Sequence, residues 1–245
     1  MLALAPRHLS LVLPALIAAS QGLASAAQPP LLVLYDTRPP FVIFDGKALQ
    51  GSIGARAQAA LQKSGIAFEL REVPVARQLL MTQQNLSPIC AVARLKNVER
   101  MRLGVFSAPL ADSSPYVAVL RNDRTLPEPT TLSNWASHRE LRWGVQSGLY
   151  YSDYVQTVLF SAKAEIAHFS ANNQHFAKLL MARRIDFVVV QEDESQEMVK
   201  SLPLHAQRLD DLVHGEQRFF YCSKSVPEES LRVLNQALAE NVSHK

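Results

Sequence analysis

Guanidinium groups and one backbone turn carry most of the chemistry open to this sequence. Arg94 and Arg100 follow a short apolar run, Ile89–Ala93, and precede Val105-Phe106-Ser107-Ala108-Pro109. A guanidinium is a planar fork of donors that fits a carboxylate with two hydrogen bonds and stays charged at any relevant pH. Arg100 is therefore the lead candidate for fixing a carboxylate; the alternative is a surface arginine near a helix start. Arg94 would add a second cation, or else pair with Glu99 or point to solvent. The turn Ser147-Gly148-Leu149-Tyr150 precedes an expected helix. The first amides of a helix lack internal partners and carry the positive end of its dipole. The backbone of Gly148, Leu149 and Tyr150 is thus a second candidate contact for an anion. The alternative is an ordinary strand-to-helix turn whose dipole Asp153 balances.

Other chemistries find little support. Histidines 138, 168, 175, 205 and 214 show no metal-type spacing, and neither cysteine has a close second ligand. No nucleophile elbow of the Gly-x-Ser-x-Gly type and no phosphate-binding loop is present, and no cofactor or metal is expected. The net charge of +3 is too mild, and its cations too scattered, for a nucleic-acid partner.

Short apolar runs alternate with helical patterns, which argues an α/β class with largely parallel sheets. Expected strands are Leu31–Leu34, Ala67–Val73, Ile89–Ala93, Tyr116–Leu120, Leu141–Val145, Ala164–His168, Ile185–Val190 and Phe219–Ser223. Expected helices run from Ala55 to Lys63, from Pro74 with Leu79, Leu80 and Met81 inward, and from Gly148 to Phe160. Others are a short one capped by Ser133, one from Asn172 or Asn173 to Met181, and Pro227–Ala239. Pro39-Pro40 ends the first strand in a fixed turn.

The N-terminus has the order positive, apolar, small: Arg7, then Leu9–Ala19, then Ala24-Ser25-Ala26-Ala27. That is the order of a secretory signal peptide, expected over residues 1–27. Its apolar run is about half of the ~20 residues a membrane span needs, so no span is expected after cleavage. In an exported chain, Cys90 and Cys222 are free to form one disulfide; two buried thiols are the alternative.

The sequence resembles the periplasmic solute-binding proteins of bacterial extracellular family 3, the amino-acid-binding type. The resemblance rests on Pro39-Pro40-Phe41 with Gly46 and Gly51, Val73-Pro74-Val75-Ala76-Arg77, and Val98-Glu99-Arg100 with Phe106-Ser107-Ala108-Pro109. It rests further on Trp143-Gly144-Val145-Gln146-Ser147-Gly148, Arg184-Ile185-Asp186 and Tyr221-Cys222-Ser223-Lys224. It implies a two-lobed α/β fold with a ligand cleft, lobe one being 28–112 plus 215–245 and lobe two 113–214. It places the carboxylate of a small ligand on Arg100 and an ABC permease as partner in the periplasm. Gln191 or Glu192 falls where an acidic residue takes the ligand's ammonium; a solvated acidic helix start is the alternative, above all for Asp193 and Glu194. Arg38, and Val75 or Pro74, fall where aromatic residues clamp the ligand side chain, and Arg77 opens the second helix near the same cleft. The clamp is therefore changed, and a standard amino acid is one ligand among several. The implied neighbourhood of the Ile89 and Phe219 strands pairs Cys90 with Cys222. Two other readings stand beside solute binding: an enzyme on the same scaffold, such as a dehydratase or lyase of a carboxylated substrate, and an exported sensor or structural protein without a ligand.

Overall fold

The computed structural model describes residues 29–170 and 172–240; the expected signal peptide lies outside them. Strand β1 (Leu31–Tyr35) is apolar and mostly buried. A small hairpin, β2 (Ile43–Phe44) and β3 (Leu49–Gln50), follows. Its loop is held by Asp45, which accepts hydrogen bonds from the amides of Lys47 and Ala48 at 2.9 Å. Helix α1 (Gly54–Lys63) buries Ala57, Ala60 and Leu61 and stops at Gly65, whose positive φ ends the helix without a Cβ penalty. Next come β4 (Phe68–Glu72), α2 (Val75–Gln83), β5 (Ile89–Arg94), α3 (Val98–Leu103), β6 (Val105–Phe106) and β7 (Ala111–Asp112).

The middle of the chain supplies β8 (Tyr116–Arg121), α4 (Leu132–Ala136), β9 (Arg142–Gln146), α5 (Asp153–Ser161) and β10 (Glu165–Phe169). It continues with α6 (Asn173–Met181), β11 (Phe187–Gln191), α7 (Glu192–Val199) and β12 (Leu204–Arg208). The chain closes with β13 (Gln217–Cys222) and α8 (Glu228–Glu240).

These strands form two main sheets, one per lobe. The first runs β4-β1-β5-β13-β6, with β7 also on β13; the second runs β10-β9-β11-β8-β12. The trios β4-β1-β5 and β10-β9-β11 are parallel, and the strands added beside them, β13 and β8, run antiparallel. The α/β class is the one expected from the alternating pattern, and the two lobes are those the family resemblance implies. Each sheet has its own core: Val33, Leu61, Val92 and Phe220 in one, Trp143, Val155 and Phe187 in the other. The second sheet also packs its opposite face against Phe176 and Leu180.

Cys90 on β5 and Cys222 on β13 stand opposite each other and form a disulfide. Closing a loop with a sequence separation of 132 residues restricts the unfolded chain, an effect of about 5 kcal/mol on the chain-entropy account.

Three local expectations fail for identifiable reasons. Helix α5 starts at Asp153, not Gly148, because Ser152 caps it by accepting from the Val155 amide at 3.2 Å. Tyr151 is instead drawn into the core, its hydroxyl accepting from the Gln146 amide. In α2 the inward stripe is Val75, Gln78 and Thr82, and Leu80 is 62% exposed. Gln78 turns inward because its amide donates to the carbonyl of Val73 at 2.6 Å and to Asp36. Helix α4 is capped by Thr131, not Ser133.

Candidate functional site

In a parallel sheet the crevice lies beyond the carboxyl ends of the strands. Asp36 follows the last residue of β1, Arg94 ends β5, Gln146 ends β9 and Gln191 ends β11. The two parallel trios therefore aim these side chains at a common seam between the lobes.

The centre of the seam is dense with charge. Arg38, from the first lobe, donates through Nε and Nη2 to both oxygens of Glu194 in α7, the second contact at 2.6 Å. Glu194 is fully buried, accepts a further bond from Asn173 at 2.9 Å, and accepts from the Gln191 amide at 3.1 Å. Burial alone would lower the pKa of Arg38, but Glu194 more than offsets this and leaves it raised. Arg94 pairs with Asp36 and donates to the Val92 carbonyl at 2.8 Å. Behind these pairs lies Arg218 of β13, 2% exposed. Among the described residues its only side-chain partner is the Tyr116 hydroxyl at 3.3 Å, and its Nε has none. Burial pushes its pKa down. A cavity of about 10 Å³ remains here, lined by Asp36, Arg38, Arg94, Gln191 and Arg218 together with apolar residues of the first lobe.

A second opening of about 430 Å³ lies along the same seam, between α2 and α3 on one side and Gly148, Leu149 and Tyr150 on the other. Asn97 caps α3 by accepting from the Arg100 amide at 2.8 Å, which sets Arg100 at the start of the helix. Its guanidinium donates to the Leu95 carbonyl at 2.9 Å and lies 5.3 Å from the centroid of the Tyr150 ring. Arg100 is 5% exposed, and no carboxylate among the described residues pairs with it. Burial, followed by the neighbouring Arg94, lowers its pKa to about 10, so it keeps its charge at neutral pH. Cation–π contact returns about 0.5–2 kcal/mol and a charged hydrogen bond about 1.5–3 kcal/mol. Desolvating an ion costs several kcal/mol, so these contacts alone leave Arg100 under-compensated. Gly148 closes the gap between the lobes: it has a φ of 75°, and a Cβ there would lie 2.8 Å from the Ala76 Cβ. A third, larger opening of about 920 Å³ has a mixed lining, with Asp36, Glu72, Gln146, Asn173 and Lys178 beside Pro39, Met198 and Leu202.

The remaining candidates from the sequence divide. Leu149 and Tyr150 line the Arg100 pocket, but not as the first turn of a helix, which begins beyond them. The amides of Ser147 and Leu149 are already bonded to the carbonyls of Phe169 and Gln146. The Tyr150 hydroxyl donates to Asp153. Gln191 reaches the centre fully buried, and neither polar atom of its side chain has a partner. Glu192 turns away and pairs with Arg208 at 2.8 Å. Arg77 lies exposed on α2. Arg94 chooses Asp36 rather than Glu99 or solvent, and Glu194 is buried rather than solvated. Sequence reasoning missed Asp36, Glu194 as a buried partner, and Arg218. The signal for Asp36 was its place at the end of an apolar parallel strand. Arg218, one cation at the head of an apolar run, reads as an ordinary strand start.

Known structures of this shape exist. An ancestral arginine-binding protein, bound to arginine, superposes with a TM-score of 0.72 over 88% of this chain and 93% of its own, at 21% identity. This chain has the two-lobed periplasmic-binding-protein fold. The substrate binding protein of an amino acid ABC transporter shares that fold at a TM-score of 0.70 and 17% identity, covering 88% of this chain and 94% of its own. So does an ancestral amino acid-binding protein, a precursor of cyclohexadienyl dehydratase, at 0.69 and 19% identity, covering 88% and 90%. No protein-family model and no curated protein matches the chain. No described helix is long and apolar enough to cross a membrane.

Proposed function

We propose that this chain is an exported solute-binding protein that captures a small carboxylate-bearing ligand between its lobes, residues 28–112 with 215–245 and residues 113–214, for import through an ABC permease. The carrying observation is that, among the described residues, Arg100 and Arg218 are buried along the seam without a carboxylate partner, whereas the buried Arg94 and Arg121 each have one. An unpaired buried cation is costly, and a ligand carboxylate would repay that cost with two charge-assisted bonds. Arg100 faces Tyr150 across the seam, so a ligand seated there touches both lobes and favours the closed arrangement. The fold and its amino-acid-binding neighbours support the same reading, and the export signal expected over residues 1–27 is consistent with it.

An enzyme of the dehydratase or lyase class is the second reading, favoured by the neighbour that preceded a dehydratase. It would need a carboxylate or another base at the ligand. Asp36 and Glu194 in the central seam are both held by arginines, which leaves Glu99 of the Arg100 opening as the carboxylate such chemistry would have to use.

A thermal-shift screen against amino acids, organic acids and polyamines tests the proposal. It predicts a ligand-linked rise in Tm for at least one carboxylate. No rise with any carboxylate would refute it, and turnover of a hit would shift the assignment to the enzyme reading.

A further inference from the structure

We infer that the central cavity between Arg218 and Gln191 is an anion subsite that takes a second acid group, besides the one on Arg100, of a ligand lacking an ammonium group. The inference rests on the solute-binding reading and narrows its ligand class. Two independent observations meet at this cavity. Arg218 is a buried cation with an unpartnered Nε, and Gln191 is a fully buried amide with both Oε1 and Nε2 unpartnered. Both line the same space.

Buried polar atoms without partners are rare in native proteins, because each keeps its desolvation cost uncompensated. A carboxylate oxygen placed between the Arg218 guanidinium and the Gln191 amide nitrogen would satisfy both donors. The cavity of about 10 Å³ matches roughly one oxygen-sized group, so it encloses the tip of an acid rather than a whole solute.

Charge balance sets the class. Three arginines and two carboxylates meet here: Arg38 with Glu194, Arg94 with Asp36, and Arg218 alone. One positive charge is left over. Both carboxylates are already committed to arginines, so an ammonium entering the cavity would find two occupied acceptors and three cations. Gln191 offers it only a neutral carbonyl. The subsite thus favours an organic acid over the amino acid of the same skeleton.

The test pairs dicarboxylate skeletons with and without the amine: succinate against aspartate, glutarate against glutamate, and adipate against 2-aminoadipate. Each is titrated calorimetrically into the wild-type protein, Arg218→Met and Gln191→Leu, with sodium chloride as an inorganic control. At least one deaminated acid should bind about tenfold or more tightly than its amino acid, a difference of about 1.4 kcal/mol. Arg218→Met should weaken that acid about 10- to 100-fold, the loss of one charged hydrogen-bonded contact. It should also leave the Tm without ligand unchanged or higher, because it removes an unpaired buried charge. If Arg218→Met does not fold, Gln191→Leu carries the same prediction.

Amino acids binding as tightly as their deaminated partners would overturn the inference. So would unchanged affinity in folded Arg218→Met or Gln191→Leu, or chloride shifting the Tm as much as the acids do. In all three cases the solute-binding reading would survive. Absence of binding by both members of every pair would also overturn the inference, and the solute-binding reading would fall with it only if no other carboxylate raised the Tm.

Discussion

Arg94 at the end of β5 and Arg100 in α3 are each 5% exposed, yet only Arg94 meets a carboxylate. The centre of the seam is largely neutralised from within: Arg94 with Asp36, Arg38 with Glu194. The rim pocket holds Arg100 against a backbone carbonyl and a tyrosine ring, and Glu99, which lines the same opening, forms no ion pair with it among the described residues. Burial is equal, so desolvation does not separate the two regions; pairing does. A fold that satisfies one cation and leaves its neighbour wanting gives up stability at the second position, which supports the proposed role of Arg100 as a ligand contact.

The largest effect expected from breaking this arrangement falls on the frame that carries both regions. Replacing Cys90 and Cys222 together by alanine should cost about 5 kcal/mol, read as a lower denaturation midpoint. A change below about 1 kcal/mol would mean that β5 and β13 are aligned without the bridge.

Next comes conversion of the paired region into the unpaired kind. Asp36→Ala leaves Arg94 buried without a partner and should cost about 3–5 kcal/mol. Adding Arg94→Met should recover much of that loss, a coupling visible in a double-mutant cycle. Arg100→Met, at the same burial, should leave stability unchanged or raise it. Equal destabilisation by Arg100→Met and Asp36→Ala would erase the distinction between the two regions.

Gly148→Ala acts on the contact between the lobes. The new methyl would meet Ala76 at 2.8 Å on a backbone with φ of 75°. A cost of about 1–3 kcal/mol is expected, together with a more open solution envelope by small-angle scattering. An unchanged envelope would show that the lobes approach without depending on this glycine.

The smallest effect serves as a control in the second lobe. Asp211 accepts from the amides of Leu132 and Ser133 at 2.8 and 3.0 Å and from the Tyr154 hydroxyl at 2.7 Å. Burial pushes its pKa up, but these donors outweigh it and leave it lowered. Its stabilisation is therefore present above the unfolded carboxylate pKa of about 3.9 and is lost as pH falls through the lower folded value. Asp211→Asn should cost about 1 kcal/mol at neutral pH, shrinking in acid, and leave ligand affinity alone.

The frame was more legible in the sequence than the seam. Apolar runs such as Leu31–Leu34 and Ile185–Val190 announced strands because parallel strands are buried on both faces. The pairing of Cys90 with Cys222 came with the resemblance. The short helix α3 and the acidic helix α7 were visible only as possible helix starts, since six to eight residues carry little periodicity. The partners of Arg38 and Arg94 were hidden for a different reason. Glu194 is far from Arg38 in the chain, and Asp36 far from Arg94, and long-range charge pairing leaves no local pattern. Glu194 looked like one acid among three at a solvated helix start. Only the fold shows that its side chain turns back on the Gln191 amide and meets a guanidinium from the opposite lobe.

Calorimetric titration of the best carboxylate from the thermal-shift screen into wild-type protein and Arg100→Met tests the account most directly. The account predicts a Kd about 10- to 100-fold weaker in Arg100→Met, with its thermal stability intact. A well-folded Arg100→Met that binds the same acid with unchanged Kd would contradict it.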